Sequence, residues 1–249
     1  MIIGSMQRFF GRILRKARDV SAPPVLIVAF GDSVTQGVVE HGQFDFDHTY
    51  HRLLQTLLER HFPTTTFSTL NAGVSGSTAQ QALIRLERDV IRHQPDLVLV
   101  AFGLNDAVIG GDKGLPEFGA TIREIVAVTH AKTEADVVLL TPPHMAGLSQ
   151  PHKIHPAHAE IADRIIAAQR EGVLARYADA TRELGSRLAK ESGRLVVADI
   201  HAEWTRLRET GVDVDQWFTN GLNHPDPRGQ QLAATSVFHV LLSNPAEQT

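Results

Sequence analysis

The stretch Val25-Leu26-Ile27-Val28-Ala29-Phe30-Gly31-Asp32-Ser33-Val34-Thr35-Gln36-Gly37 decides how the rest of the chain is read. Its first six residues are apolar without interruption, the pattern of a short strand covered on both faces. Gly31 then permits a tight exit, and Ser33 stands at the mouth of the next element, where a helix N-terminus would turn its positive end toward the hydroxyl. Two readings are open on this segment alone. Asp32 or Ser33 caps a helix, or Ser33 is a nucleophile.

Outward from this stretch, similar runs rich in Val, Ile and Leu occur at 66–70, 97–102, 137–141 and 195–198. Amphipathic segments separate them, at 50–60, 79–93, 118–130, 157–190 with a break near Glu171-Gly172, and 228–242. Parallel strands need crossover connections, so the alternation predicts an α/β fold: a five-stranded parallel sheet between two helix layers. The expected order is 2-1-3-4-5, as in flavodoxin-like sheets. Ligands of such sheets bind outside the carboxyl ends of the strands, where the winding reverses. Ser33, Gly76 and Asn105 follow the first, second and third strands and would share that edge.

The 249 residues show no internal linker, so residues 25–249 are read as one domain, preceded by residues 1–24. In that leading segment Met6, Phe9, Phe10, Ile13, Leu14 and Ala17 recur at helical spacing among Arg8, Arg12, Arg15, Lys16 and Arg18. This is a basic amphipathic helix, expected to dock on the domain body or on a second subunit, which leaves a homo-oligomer through it open. Ser21-Ala22-Pro23-Pro24 makes a stiff linker.

A formal net charge of -4 gives no field for polyanions, so no nucleic-acid partner is expected. With no cysteine there is no disulfide, thiolate zinc site or cysteine nucleophile, and the chemistry falls to hydroxyl, imidazole or carboxylate. No apolar run approaches a spanning helix. Membrane contact is not expected, and the expected location is the cytoplasm.

Three further motifs follow in order. Asn71-Ala72-Gly73-Val74-Ser75-Gly76-Ser77-Thr78 misses a Gly-x-Ser-x-Gly elbow because Ser77 stands where glycine is required. It is either a plain turn or a loop offering the Gly76 N–H to a substrate oxygen. Gly103-Leu104-Asn105-Asp106 is either a strand-exit turn or a loop whose Asn105 amide aims at an oxyanion. His224, in Asn223-His224-Pro225, is one of 13 histidines and so an ordinary surface residue by default, or a general base on a proline-pinned loop.

Taken together, the four motifs resemble those of the SGNH hydrolases, the GDSL family of esterases and lipases. The resemblance implies Ser33 as nucleophile, Gly76, Asn105 and the Ser33 N–H as oxyanion donors, and His224 as base, with no cofactor and no metal. Asp32, Asp106 and Asn220 are the candidates for orientation or substrate contact. One departure stands out. The family usually places an aspartate three residues before the histidine, and Gly221 occupies that position here, with Asn220 the nearest substitute. The expectation is a Ser–His dyad, or a ring held by a backbone carbonyl of this loop. Asp213, Asp215 and Asp226 are the carboxylates that could fold back toward it.

The function expected is hydrolysis of a small-molecule ester with a small acyl group, first of all acetate on a carbohydrate, since no long apolar insertion suggests an acyl-chain tunnel. The alternatives are a lysophospholipase or thioesterase acting on longer chains, and a non-catalytic protein that only holds an acylated ligand. His144, His152, His155 and His158 invite a metal reading, but Pro156 breaks the run, and a lid or substrate-side wall is the expectation.

Overall fold

The structure, a computed structural model, describes residues 6–243. Five strands, β1 (Val25–Gly31), β2 (Phe67–Gly73), β3 (Leu97–Ala101), β4 (Asp136–Leu140) and β5 (Leu195–Ala198), form one parallel sheet in the order β2-β1-β3-β4-β5. This is the expected topology. The apolar runs conceal a two-residue alternation between two cores. Val28 and Phe30 of β1 face one with Val98, Val100, Val137 and Leu139. Ile27 and Ala29 face the other with Leu97, Leu99, Val138 and Leu140. Burial on both faces is why these strands read as continuous apolar runs.

Helices α1 (Gln7–Arg18), α2 (Tyr50–His61), α3 (Ala79–Asp89), α4 (Leu104–Gly110), α5 (Leu115–Lys132), α6 (Ala159–Arg170), α7 (Val173–Ser192), α8 (Ile200–Glu209) and α9 (Pro227–Leu242) complete the chain. Residues of α3, α5, α6 and α7 enter the first core, and those of α1, α2, α8 and α9 the second. The break between α6 and α7 falls at Gly172, whose φ of 71° ends one helix and starts the next. None of the described helices is long and apolar enough to cross a membrane.

Besides α4, which forms where a strand-exit turn or loop was expected, three elements depart from the sequence reading. Strand β2 runs on to Gly73, because as an edge strand it keeps pairing with β1 beyond Leu70, its last large apolar residue. Helix α8 buries only Ile200, His201 and Trp204, too few to produce an amphipathic signal, and depends on Asp199 capping the Ala202 N–H. An antiparallel hairpin, Val38–Glu40 with Gln43–Phe44, was not expected. Gly37 and Gly42, both at positive φ, bracket its first limb and were the available signal.

Helix α1 lies under the amino ends of the strands, on its own domain. Met6, Phe9, Phe10 and Ile13 join the second core. The buried Asp136 carboxylate at the start of β4 accepts the Phe9 N–H at 2.9 Å, and Arg12 pairs with Asp96 at 2.7 Å. Of the two expected docking partners of this apolar face, the domain body covers it, while Leu14 and Ala17 point outward.

Candidate active site

The register of the sheet aligns the strand ends on which the site is built. Gly31 of β1 lies opposite both Gly73 of β2 and Ala101 of β3, so three loops leave one edge at the same height. After Gly31 the chain makes a single helical turn, Ser33–Gln36, capped by Asp32 Oδ1 on the Val34 N–H at 2.9 Å. The turn is pressed onto the sheet with no room to spare. A Cβ on Gly31 would sit 2.0 Å from Thr35 Oγ1, and one on Gly73 would sit 2.2 Å from the Gln36 nitrogen. The capping reading of this segment therefore holds. Asp32 caps the turn, and Ser33 is left at its first position.

His224 reaches Ser33 from the far end of the chain. Its Nε2 lies 3.1 Å from Ser33 Oγ, with both side chains buried. The loop that delivers it is organised by Asn220, whose Oδ1 accepts the N–H groups of Leu222, Asn223 and His224 at 3.0 to 3.1 Å. Thr219 N–H and the His224 carbonyl close the loop at 2.9 Å, and Asp226 caps α9 just beyond it. Burial holds the His224 pKa down to about 4, so the ring is neutral near pH 7.

The loops after β2 and β3 stand beside this pair. Gly76 adopts φ 74°, and nothing lies within 4 Å of where its Cβ would be, so the side-chain position of this turn is open. Ser75 N–H donates to Gln36 Oε1 at 2.8 Å, tying this loop to the Ser33 turn. Asn105, in the first turn of α4, donates from Nδ2 to the Ser77 carbonyl at 3.1 Å and lies 3.5 Å from Asp32 Oδ2. Its amide therefore joins the loops after β1, β2 and β3. Asp106 is placed differently: its two oxygens accept the Ala79 and Gly103 N–H groups, stitching the starts of α3 and α4 together.

Residues 29–232 match the GDSL-like lipase/acylhydrolase family. The chain belongs to this family. Among curated proteins it is 31% identical over 102 residues to an acetylxylan esterase of Geobacillus stearothermophilus, covering 38% of this chain and 46% of that one. It is 34% identical over 84 residues to the uncharacterized lipoprotein YqeF of Bacillus subtilis, covering 33% and 32%. The chain thus spans less than half the length of these curated relatives. Among solved structures, Axe2, an acetylxylan esterase from Geobacillus stearothermophilus, superposes with a TM-score of 0.61 at 22% identity over 86% of this chain and 92% of that one. LAE5, an α/β hydrolase from a Lake Arreo metagenome, superposes with a TM-score of 0.64 at 24% identity over 88% and 95%. The fold is shared. Axe2 has also been solved as catalytic mutants in which a serine, an aspartate or a histidine is replaced by alanine.

Against this family pattern the missing aspartate has a structural cause. Gly221 sits at φ 67°, and a Cβ there would lie 2.8 Å from Lys153 Cβ. The segment packed over Gly221 leaves no room for a side chain. Asn220 does not stand in for it, because its amide oxygen is committed to the loop backbone and its Nδ2 to Asn223 Oδ1. Asp215 accepts the Gly147 and Leu148 N–H groups and pairs with Arg208, and Asp226 holds the start of α9. His224 Nδ1 is left buried without a hydrogen-bond partner. The neighbouring carbonyl that favours the protonated ring belongs to Val39, in the hairpin rather than in the histidine's own loop.

Two other groups complete the surroundings. Asp32 lines a small apolar cavity of about 30 Å³ with Phe102, Leu140 and Pro225, and burial, helped by the charge of Asp106, pushes its pKa up to about 7. The histidine-rich stretch divides. His144 packs at a tilt against His201 at 4.5 Å, while His155 and His158 meet His41 at the hairpin tip, at 4.7 and 5.6 Å between ring centres. Among the described residues no group of three His, Cys, Asp or Glu could hold a metal ion.

Proposed function

We propose that the protein hydrolyses carboxylic esters of small acyl groups, with acetylated carbohydrate as the first substrate class, through an acyl-enzyme on Ser33. The observation that carries this reading is the 3.1 Å contact between Ser33 Oγ and His224 Nε2, two buried groups 191 residues apart in sequence. Membership of an acylhydrolase family supports the reaction class, and the relatives named for acetylxylan support the acyl group.

Neutral His224 takes the Ser33 proton on Nε2 as Oγ attacks the acyl carbon. The carbonyl oxygen becomes an oxyanion, to which the Gly76 N–H, the Asn105 amide and the Ser33 N–H donate. Asn105 Nδ2 donates one proton to the Ser77 carbonyl, and the other, with Nδ2 at 3.5 Å from Asp32 Oδ2, is the one that turns to this oxygen. Collapse breaks the ester bond, and the departing alcohol takes the proton from His224. A water then gives its proton to the same Nε2 and attacks the acyl carbon, and as the Oγ–acyl bond breaks that proton passes from Nε2 to Ser33 Oγ, releasing the acid and restoring both residues.

A rival reading, a binding protein that holds but does not cleave an acylated ligand, draws on the unpartnered Nδ1 of His224. Covalent labelling by a fluorophosphonate separates the two: parent protein should label at Ser33 and Ser33→Ala should not. No labelling of the parent would leave only the binder. Turnover on acetyl, butyryl and dodecanoyl esters tests the acyl group, and a preference for the dodecanoyl ester would move the substrate to the lysophospholipid or thioester class.

A further inference from the structure

The Ser33 turn and the His224 segment meet at more than the dyad itself. Pro225 follows His224, and a Cβ on Gly229 would lie 2.7 Å from both Pro225 Cβ and Trp204 Cζ2. The first turn of α9 is therefore packed tightly against the residue next to the histidine. Gln230 comes next in that helix and is buried, with both ends of its amide engaged. Its Nε2 donates to the Val34 carbonyl at 3.3 Å, and its Oε1 accepts the Tyr50 N–H at 3.0 Å. These partners allow the amide one orientation, since an N–H requires the oxygen and a carbonyl requires the nitrogen.

Val34 directly follows Ser33, and Tyr50 opens α2, whose N-cap residue Thr49 makes no side-chain cap. Gln230 thus supplies an acceptor that the start of α2 lacks. Two contacts carry α2 back to the Ser33 turn: the Tyr50 hydroxyl lies 3.1 Å from Thr35 Oγ1, and His51 Nε2 lies 3.0 Å from the Thr35 carbonyl. Packing alone does not set the spacing here. The apolar cavity of about 30 Å³ lies among Asp32, Val34, Tyr50, Pro225 and Gln230, so the turn, α2 and α9 face one another across a void, where apolar contacts are lost.

We propose that Gln230 is a positioning residue for the Ser33–His224 pair: its amide holds the Ser33 turn at a fixed distance from α9, and so from His224 just before that helix. The inference rests on the hydrolase reading of the pair. The 3.1 Å contact between Ser33 Oγ and His224 Nε2 and the bond from Gln230 to Val34 are two ties between the same two segments. Proton transfer needs the first tie within about 2.6–3.2 Å, and a misplacement of about 1 Å costs about 10²-fold in rate. The second tie keeps the first within that range.

The test compares the parent with Gln230→Met, Gln230→Glu and Gln231→Ala on an aryl acetate at several pH values, with thermal melts to set a temperature at which each protein is folded. Gln230→Met fills the site but removes both polar contacts, and should lower kcat by about 10- to 100-fold with KM within about twofold. Gln230→Glu reproduces the amide's two bonds only when protonated, because a neutral carboxyl donates to the Val34 carbonyl and a carboxylate cannot. Asp32 and Tyr50 are the titratable side chains lining the same cavity, and burial beside Asp32 raises the pKa of the new carboxyl. The kcat of Gln230→Glu relative to the parent should therefore climb by about fivefold or more from about pH 8 to about pH 5, while that of Gln230→Met stays flat. Gln231 is exposed, and Gln231→Ala should stay within about twofold of the parent. The proposal is overturned if Gln230→Met keeps the parental kcat, even with a lowered melting temperature, if its loss lies in KM alone, if Gln231→Ala falls equally far, or if the Gln230→Glu ratio does not change with pH. If Ser33→Ala and His224→Ala also retain full activity, it is the hydrolase reading that has failed. If those two are inactive while Gln230→Met is not impaired, only the role of Gln230 is wrong.

Discussion

The two halves of the candidate site are built in different ways. Ser33, Gly76 and Asn105 leave adjacent strand ends of one sheet, and the Gln36 and Asn105 side chains cross-tie their loops through the Ser75 N–H, the Ser77 carbonyl and Asp32. His224 is held by loops: its own turn, the 38–44 hairpin and the 150–158 segment, joined by side chains. The first half inherits its geometry from sheet register, which tolerates little change. The second is set by packing between loops, where one side chain can be exchanged for another if the segments shift together.

The largest effect should come from cutting the link between the halves. Ser33→Ala or His224→Ala should lower kcat by about 10³-fold or more, and the double variant should be hardly worse than either alone, because the two act as one unit. Turnover of an aryl acetate by the three variants checks this. Additive losses would mean that the halves act separately. Next in size, Asn105→Ala removes one oxyanion donor and should reduce kcat about 10²- to 10³-fold with little change in KM. A change confined to KM would place Asn105 in binding alone.

The same contrast explains what could be read from sequence. All five strands and their order were legible, because burial on both faces writes apolar runs into β1, β3 and β4 and the edge strands follow from alternation. Ser33, Gly76 and Asn105 lie at the ends of those strands and were located with them. His224 was found only through the family resemblance, since nothing local separates it from the other histidines. The hairpin, α8 and the surroundings of His224 Nδ1 escaped. They depend on contacts between distant loops, such as Lys153 against Gly221, which leave no periodic trace.

A smaller effect should follow from restoring the family's residue. Gly221→Asp places a side chain where the glycine has φ 67° and where Lys153 Cβ stands 2.8 Å from the new Cβ. Overpacking and backbone strain together should destabilise the protein by about 1–3 kcal/mol in chemical denaturation, with no gain in kcat. A gain in kcat at unchanged stability would show that the loop half can readily accept the aspartate, contrary to the packing described above.

The smallest effect lies in how the halves respond to pH. On the strand side, burial raises the Asp32 pKa from 3.8 to about 7, so between those values the folded state holds a proton that the unfolded chain has lost, and stability falls as pH rises. On the loop side, His224 is lowered from 6.5 to about 4, so in that window the unfolded chain holds the extra proton, and stability falls as pH drops. The two slopes oppose each other between about pH 4 and 6.5. Asp32→Asn keeps a side chain able to cap the Val34 N–H but removes the first slope. Its stability, measured by urea denaturation at several pH values, should therefore rise with pH more steeply than the parent's across that window, by at most about 1.4 kcal/mol per pH unit. Parallel curves for parent and variant would mean that Asp32 is ionised in the folded protein at pH 5. The strand half of the site would then hold a buried charge beside Asn105, and the amide proton assigned to the oxyanion would be drawn to that carboxylate instead.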